Sequence, residues 1–214
     1  MRRRLLISAL LAGTWGAALA QAGPQPRSGT MSPAARAAAD SGRPAFNQAD
    51  VRFMSGMIDH HAQAVLIAGW APSHGAGASV RALCERIVVG QRDEIGLMQR
   101  WLRERGLPVP DGDPTHPHTM PGMDHPMLMP GMLTADQLSE LDRARGTEFD
   151  RLFLRDMIQH HQGALTMVDD LLAAPGSTED DLVFKYASDV SADQSTEIAR
   201  MQRMLDAMPR EGNP

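Results

Sequence analysis

Cysteine is almost missing from this chain. Cys84 is the only one in 214 residues, so no intrachain disulfide can form and packing must hold the fold. The lone thiol reads as a small buried apolar group. Long apolar runs are missing too. Beyond the first 20 residues nothing approaches the roughly 20 apolar residues that a membrane-spanning helix needs. Positive charge is scarce: the formal net charge is −5, whereas a nucleic-acid partner demands a basic face. No Gly-x-Ser-x-Gly motif occurs and Cys84 has no evident partner base, so nucleophilic catalysis has no support. No C-x-x-C-H motif occurs, which removes covalently attached haem. Alternating apolar and polar residues, the mark of half-buried strands, are not evident.

What is present begins with "MRRRLLISALLAGTWGAALA". Three arginines, an apolar run and a small-residue end make a secretory signal peptide over 1–20, with the cut expected after Ala20. Losing Arg2, Arg3 and Arg4 with it takes the formal charge from −5 to −8. Such a protein is exported to the periplasm or secreted, and is not membrane-embedded after cleavage. Residues 21–44, rich in Pro, Gly, Ser and Ala without apolar period, read as a flexible leader. A domain over 45–209 and a short tail over 210–214 follow.

Helical periodicity organises that domain. Asn47 is a plausible N-cap with Asp50 in the first turn, and Phe53, Met54, Met57, His61, Ala64, Val65 and Ala68 recur at spacings of three and four. "APSHGAG" (71–77) breaks this helix. A second stripe carries Val80, Cys84, Ile87, Gln91, Ile95, Met98 and Leu102 and stops at Gly106, with Pro108 beyond. After an irregular stretch, Thr134 and Gln137 form a capping-box pattern. A third stripe, Phe153, Leu154, Met157, His161, Ala164, Leu165 and Val168, repeats the first at a displacement of 100 residues. The last stripe, Val183, Ala187, Val190, Gln194, Ile198, Met201 and Leu205, repeats the second at a displacement of 103, and Ser177 with Asp180 is placed to cap it. "EIGLMQRWL" and "EIARMQRML" match almost letter for letter. A duplicated helical hairpin folds as an all-α four-helix bundle.

The stripes carry polar residues that an apolar core does not explain. His60 and His61 recur as His160 and His161, and Gln91 recurs as Gln194. Burying a polar side chain without a partner costs about 1–3 kcal/mol. One inward histidine is ordinarily a hydrogen-bonded core residue, but a pair occurring twice at matching heights can face its copy. Met57 lies three and four residues from His60 and His61, and Met157 stands likewise to His160 and His161, so each sulfur shares a face with both rings. Met98 and Met201 lie inward on the second and fourth helices. Methionines at helical spacing also serve as core filler. Joined to two histidine pairs, they make a nitrogen–sulfur set suited to copper, with Cu(I) favoured and Cu(II) possible.

The connector at 107–133 holds His116, His118, Met120, Met123, His125, Met127, Met129 and Met132. Five methionines and three histidines fall within 18 residues among prolines and glycines. Such a tract reads as a loop metal site that collects or passes a soft ion, the alternative being a low-complexity linker.

Asp50, Phe53, Met57, His60, His61 and Ala64, repeated as Asp150, Phe153, Met157, His160, His161 and Ala164, resemble the secreted ferritin-like domain-of-unknown-function (DUF) family of CopM-like proteins. The segment from Gln91 to Leu102 and its copy from Gln194 to Leu205 fit the same pattern. The resemblance covers about residues 46–209. It implies a four-helix fold, export, and copper binding in a metallochaperone or resistance role, with copper ions and a periplasmic copper exporter or oxidase as partners. Leu154 stands where Met54 would repeat, so the two halves need not bind alike.

The expected function is therefore copper sequestration or shuttling without bond-making chemistry. Met57, His60, His61, Met157, His160 and His161 form the core, with Met98 and Met201 as further ligands or wall. Gln91 and Gln194 are expected to orient histidine N–H groups or to bond each other. Asp50 and Asp150 are expected as helix caps or as groups behind the ligands. The alternative is a ferritin-like dinuclear metal oxidase. That site takes Glu from two helices and Glu-x-x-His from the others, whereas here only Glu94 and Glu197 can reach inward. Non-covalent haem with His and Met axial ligands, and a metal-free helical stress module, are further classes.

Overall fold

A computed structural model describes Gly42 and residues 45–114 and 128–209, and the descriptions below are of these residues. The signal peptide, the tail, most of the leader and the connector positions His116, His118, Met120, Met123, His125 and Met127 lie outside them. The five helices are α1 (Gln48–Gly69), α2 (Ala78–Glu104), α3 (Ala135–Arg143), α4 (Thr147–Ala173) and α5 (Asp181–Asp206), with no strand among the described residues. No helix among them is long and apolar enough to cross a membrane. The all-α bundle expected from the duplicated stripes is present, with α3 as a short additional helix before the second hairpin.

Local chemistry sets the helix ends. Asn47 Oδ1 accepts from Ala49 N and Asp50 N while Asp50 Oδ2 accepts from Asn47 N, a complete capping box at α1. Thr134 and Gln137 close a second box at α3. At α5 the cap is Asp180 alone, accepting from Leu182 N and Val183 N. Ser177, expected to share it, turns back and donates to the carbonyls of Leu171 and Ala174 at the end of α4.

Two further aspartate bonds tie one hairpin to the other. Asp50 at the start of α1 accepts at 2.8 Å from Thr178 N, in the turn between α4 and α5. Asp150 at the start of α4 accepts from Gly77 N, the N-cap of α2, at 3.0 Å. Each hairpin's leading helix thus satisfies a backbone donor in the other hairpin's turn. In these bonds both Asp50 and Asp150 act at the helix ends.

The core falls into two apolar clusters. One joins the first half of α1 (Phe53, Met54, Met57) to the last parts of α2 and α4 (Met98, Val168) and the start of α5 (Val183, Val190). The other joins the second half of α1 (Ala64, Ile67) to the first parts of α2 and α4 (Cys84, Phe153, Met157) and to Met201 late in α5. Met57 and Ala164 fall in one cluster and Ala64 and Met157 in the other, so α1 and α4 run antiparallel about an approximate two-fold axis. That axis crosses them between Met57 and Ala64, where the histidines stand.

Candidate metal centre

His60, His61, His160 and His161 are all fully buried, in a polar layer between the two apolar clusters. His60 and His160 meet across the axis with ring centroids 3.9 Å apart and planes inclined by 40°. Within each pair the adjacent rings are 6.3 Å apart.

Three rings have one nitrogen held. His61 Nε2–H donates to Glu94 Oε2 at 2.5 Å, and His161 Nε2–H donates to Glu197 Oε2 at 2.7 Å. His60 Nε2–H donates to the Pro130 carbonyl at 3.0 Å. In a neutral ring, donation from Nε2 leaves Nδ1 as a bare lone pair. The Nδ1 atoms of His60, His61 and His161, and both ring nitrogens of His160, are buried without a hydrogen-bond partner. Native interiors leave very few buried polar atoms unmet, so five on four neighbouring rings is a concentration; a neutral His160 carries its proton on one of its two, which leaves four lone pairs without a donor.

Burial keeps the central rings neutral. His60 is lowered to about 3, first by desolvation and then by the neighbouring His61. His160 is pushed well below the ordinary histidine value by desolvation and then by His60. Their lone pairs are therefore not taken by protons at neutral pH, which is the state a metal requires.

The structure brings all four expected histidines together. It splits the four expected sulfurs, all fully buried: Met57 and Met98 lie in one apolar cluster, and Met157 and Met201 in the other, one pair on each side of the layer. Gln91 and Gln194 do not hold a histidine; their Oε1 atoms are buried without a partner. Glu94 and Glu197, one turn further along, have that place. Their signal was in the sequence, since both sit at the same point of the repeated "EIGLMQRWL" and "EIARMQRML". Tyr186, which the stripes did not single out, puts its hydroxyl 3.2 Å from His61 Nε2. Its position in the other repeat is Leu83, so the two halves differ here.

The end of the connector seals the layer. Gln63, one turn beyond His60, donates to the Pro114 and Leu133 carbonyls and accepts from Leu133 N. One amide thus clasps both stems of the His/Met-rich stretch. The equivalent position in the second repeat is Gly163. A Cβ there would stand 2.0 Å from the Pro130 carbonyl oxygen, so only glycine admits the backbone that reaches His60. Met129 and Met132 are buried in this end of the connector, with Met129 Sδ packed over Gly56.

Among the described residues no three His, Cys, Asp or Glu side chains are grouped so as to hold a metal by themselves. An ion here would take imidazole nitrogens and complete its shell with the flanking sulfurs, a low-coordinate soft set.

Residues 50–205 match the model of DUF305, Domain of unknown function. No curated protein matches the chain. Among solved structures, a DUF305 fragment from Deinococcus radiodurans is 28% identical with a TM-score of 0.63, the match covering 77% of this chain and all of that one. CopM in the Cu(II)-bound form is 28% identical with a TM-score of 0.56, covering 73% of this chain and 95% of that one. CopM in the Cu(I)-bound form has the same identity and coverage at a TM-score of 0.55.

Proposed function

The chain belongs to the DUF305 family, and from that premise we propose that it is an exported copper-binding protein that sequesters or delivers the ion and performs no bond-making chemistry. The observation that carries this reading is the set of five unpartnered ring nitrogens on four buried histidines. Similarity to CopM in its Cu(II)-bound and Cu(I)-bound forms supports copper as the ion.

His60, His61, His160 and His161 supply nitrogen, Met57 and Met157 supply sulfur from either side, and Met98 and Met201 stand behind them. That mixture favours Cu(I) over oxygen-seeking ions. Glu94, Glu197 and the Pro130 carbonyl fix Nε2 as the donor nitrogen on three rings, turning each Nδ1 outward from its hydrogen bond and raising its basicity. The protein works in the periplasm or outside the cell, routed by residues 1–20, and exchanges its ion with a copper exporter or oxidase. The connector from His116 to Met132 collects the ion.

Chelator competition on the purified chain with Cu(I), Cu(II), Zn and Fe(II) tests this. Tightest binding is expected for Cu(I), and the His61→Ala/His161→Ala variant is expected to lose the tight site. Unchanged affinity in that variant would remove the histidine layer from the function.

A further inference from the structure

Pro130 touches His60 on one side and lines a solvent cleft on the other. It sits in a tight turn that Met132 N closes by donating to the Met129 carbonyl at 3.2 Å. Pro130 followed by Gly131 at φ +76° is the pair that a type II turn requires. Inward, the turn sets the Pro130 carbonyl on His60. Outward, Met129 and Pro130 border a cleft of about 320 Å³ between α1 and α4, with Phe53, Gly56, Met167 and Leu171 as its other apolar walls. Two thioether side chains converge at its floor. A Cβ on Gly56 would stand 3.2 Å from Met129 Sδ and 3.5 Å from the Met167 methyl carbon. Gly56 lies one turn before His60 on the same face of α1, so the floor of the cleft leads toward the layer.

The duplicated packing does not call for this pair. At a displacement of 100 residues, Asp156 stands for Gly56 and Ile67 for Met167, so the second half has neither the gap nor the sulfur. Isoleucine suffices as core filler there, whereas here both side chains over the gap carry sulfur. We propose that Met129 and Met167 form a soft-ion site in the α1–α4 cleft, the outer station from which Cu(I) passes to the histidine layer. Thioethers select Cu(I), and Ag(I) with it, over oxygen-seeking ions. Arg52 and Asp170 stand exposed at the rim with opposite charges, so it is the sulfurs that select the ion. Two neutral sulfurs hold it more weakly than the nitrogen–sulfur set inside, which is the order that inward transfer needs. The sulfur site stands on the cleft alone; its role as the entrance rests on the copper reading.

The probe is Ag(I), titrated into the full chain and followed by NMR of labelled methionine methyl groups, assigned through Met129→Leu and Met167→Leu. Saturable shifts of both methyl resonances together are expected. Met129→Leu/Met167→Leu is expected to bind one Ag(I) fewer. It is also expected to slow Cu(I) loading of the layer at least about tenfold at unchanged equilibrium affinity. Leucine and methionine exchange at nearly constant volume, so this variant is expected to fold. Should it not, Met167→Ile, which copies Ile67 of the other repeat, serves instead. Unmoved methyl resonances, or full Ag(I) stoichiometry in the variant, overturn the site. Loading at the parent's rate overturns its role as the entrance. In His61→Ala/His161→Ala both shifts are expected to persist, and unchanged Cu(I) affinity in that variant refutes the histidine layer while leaving the sulfur site intact.

Discussion

His60 and His160 stack ring on ring at 3.9 Å, one from each repeat, and neither carries a proton's charge at neutral pH. Two imidazolium ions could not occupy that position, so the contact is a statement about pH as well as geometry.

The metal-free protein is therefore expected to lose stability in mild acid. In the unfolded chain these histidines titrate near 6.5, while folded His60 does so only at about 3. Between those values the unfolded state binds the extra proton, so stability is full above 6.5 and falls as pH drops toward 3. By pH 5 His60 alone accounts for about 2 kcal/mol, with His160 adding in the same direction. Burial raises Asp150 and Asp156 above the ordinary carboxylate value, which acts in the opposite sense as pH falls through that region. Urea unfolding at pH 7 and pH 5 measures the slope; a flat response would contradict neutral burial of the pair.

Glu94 and Glu197 are expected to matter for copper without touching it. Replacing either by alanine frees a histidine Nε2–H and lets the ring turn, and loss of such a carboxylate typically lowers metal affinity about 10–100-fold. Cu(I) competition on Glu94→Ala and Glu197→Ala reads this directly. Affinities equal to the parent's would mean that ring orientation is set by packing alone.

Gln63→Leu removes three hydrogen bonds at one point and strands the buried Leu133 amide and carbonyl. A stability loss of about 1–3 kcal/mol is expected, from the stranded backbone groups. Amide exchange at Leu133 N–H should quicken well beyond that of α1 and α4. If exchange there is unchanged, the clasp is not what holds the stems.

Gly163→Ala places a methyl group 2.0 Å from the Pro130 oxygen and 2.3 Å from its carbon. Backbone must move, at a cost of about 1–3 kcal/mol, and His60 Nε2 loses its acceptor. Histidine ring NMR resonances should shift for His60 while those of His161 stay put. A variant with parent stability and an unmoved His60 signal would show that the close approach is relaxed in solution.

The four long helices, the N-cap at Asn47, the capping box at Thr134 and the inward direction of both histidine pairs were legible from sequence, because each depends on spacing within one segment. Which residue meets which across the bundle was not. Gln91 and Glu94 lie within one turn of each other, and stripe periodicity cannot say which of them reaches His61 from the neighbouring helix. The Pro130 acceptor was invisible for a different reason: a main-chain carbonyl has no side-chain signature. Its one trace was Gly163, standing where the first repeat has Gln63.

The reciprocal bonds of Asp50 to Thr178 and Asp150 to Gly77 also bear on ancestry. Each hairpin offers one carboxylate as acceptor and presents one turn amide as donor, and each amide is met by the other hairpin's carboxylate. Two copies of a single hairpin would meet those needs mutually, as the same patch does on both partners of an isologous dimer. Such reciprocity is what a duplicated hairpin would inherit from a symmetric pairing of two copies.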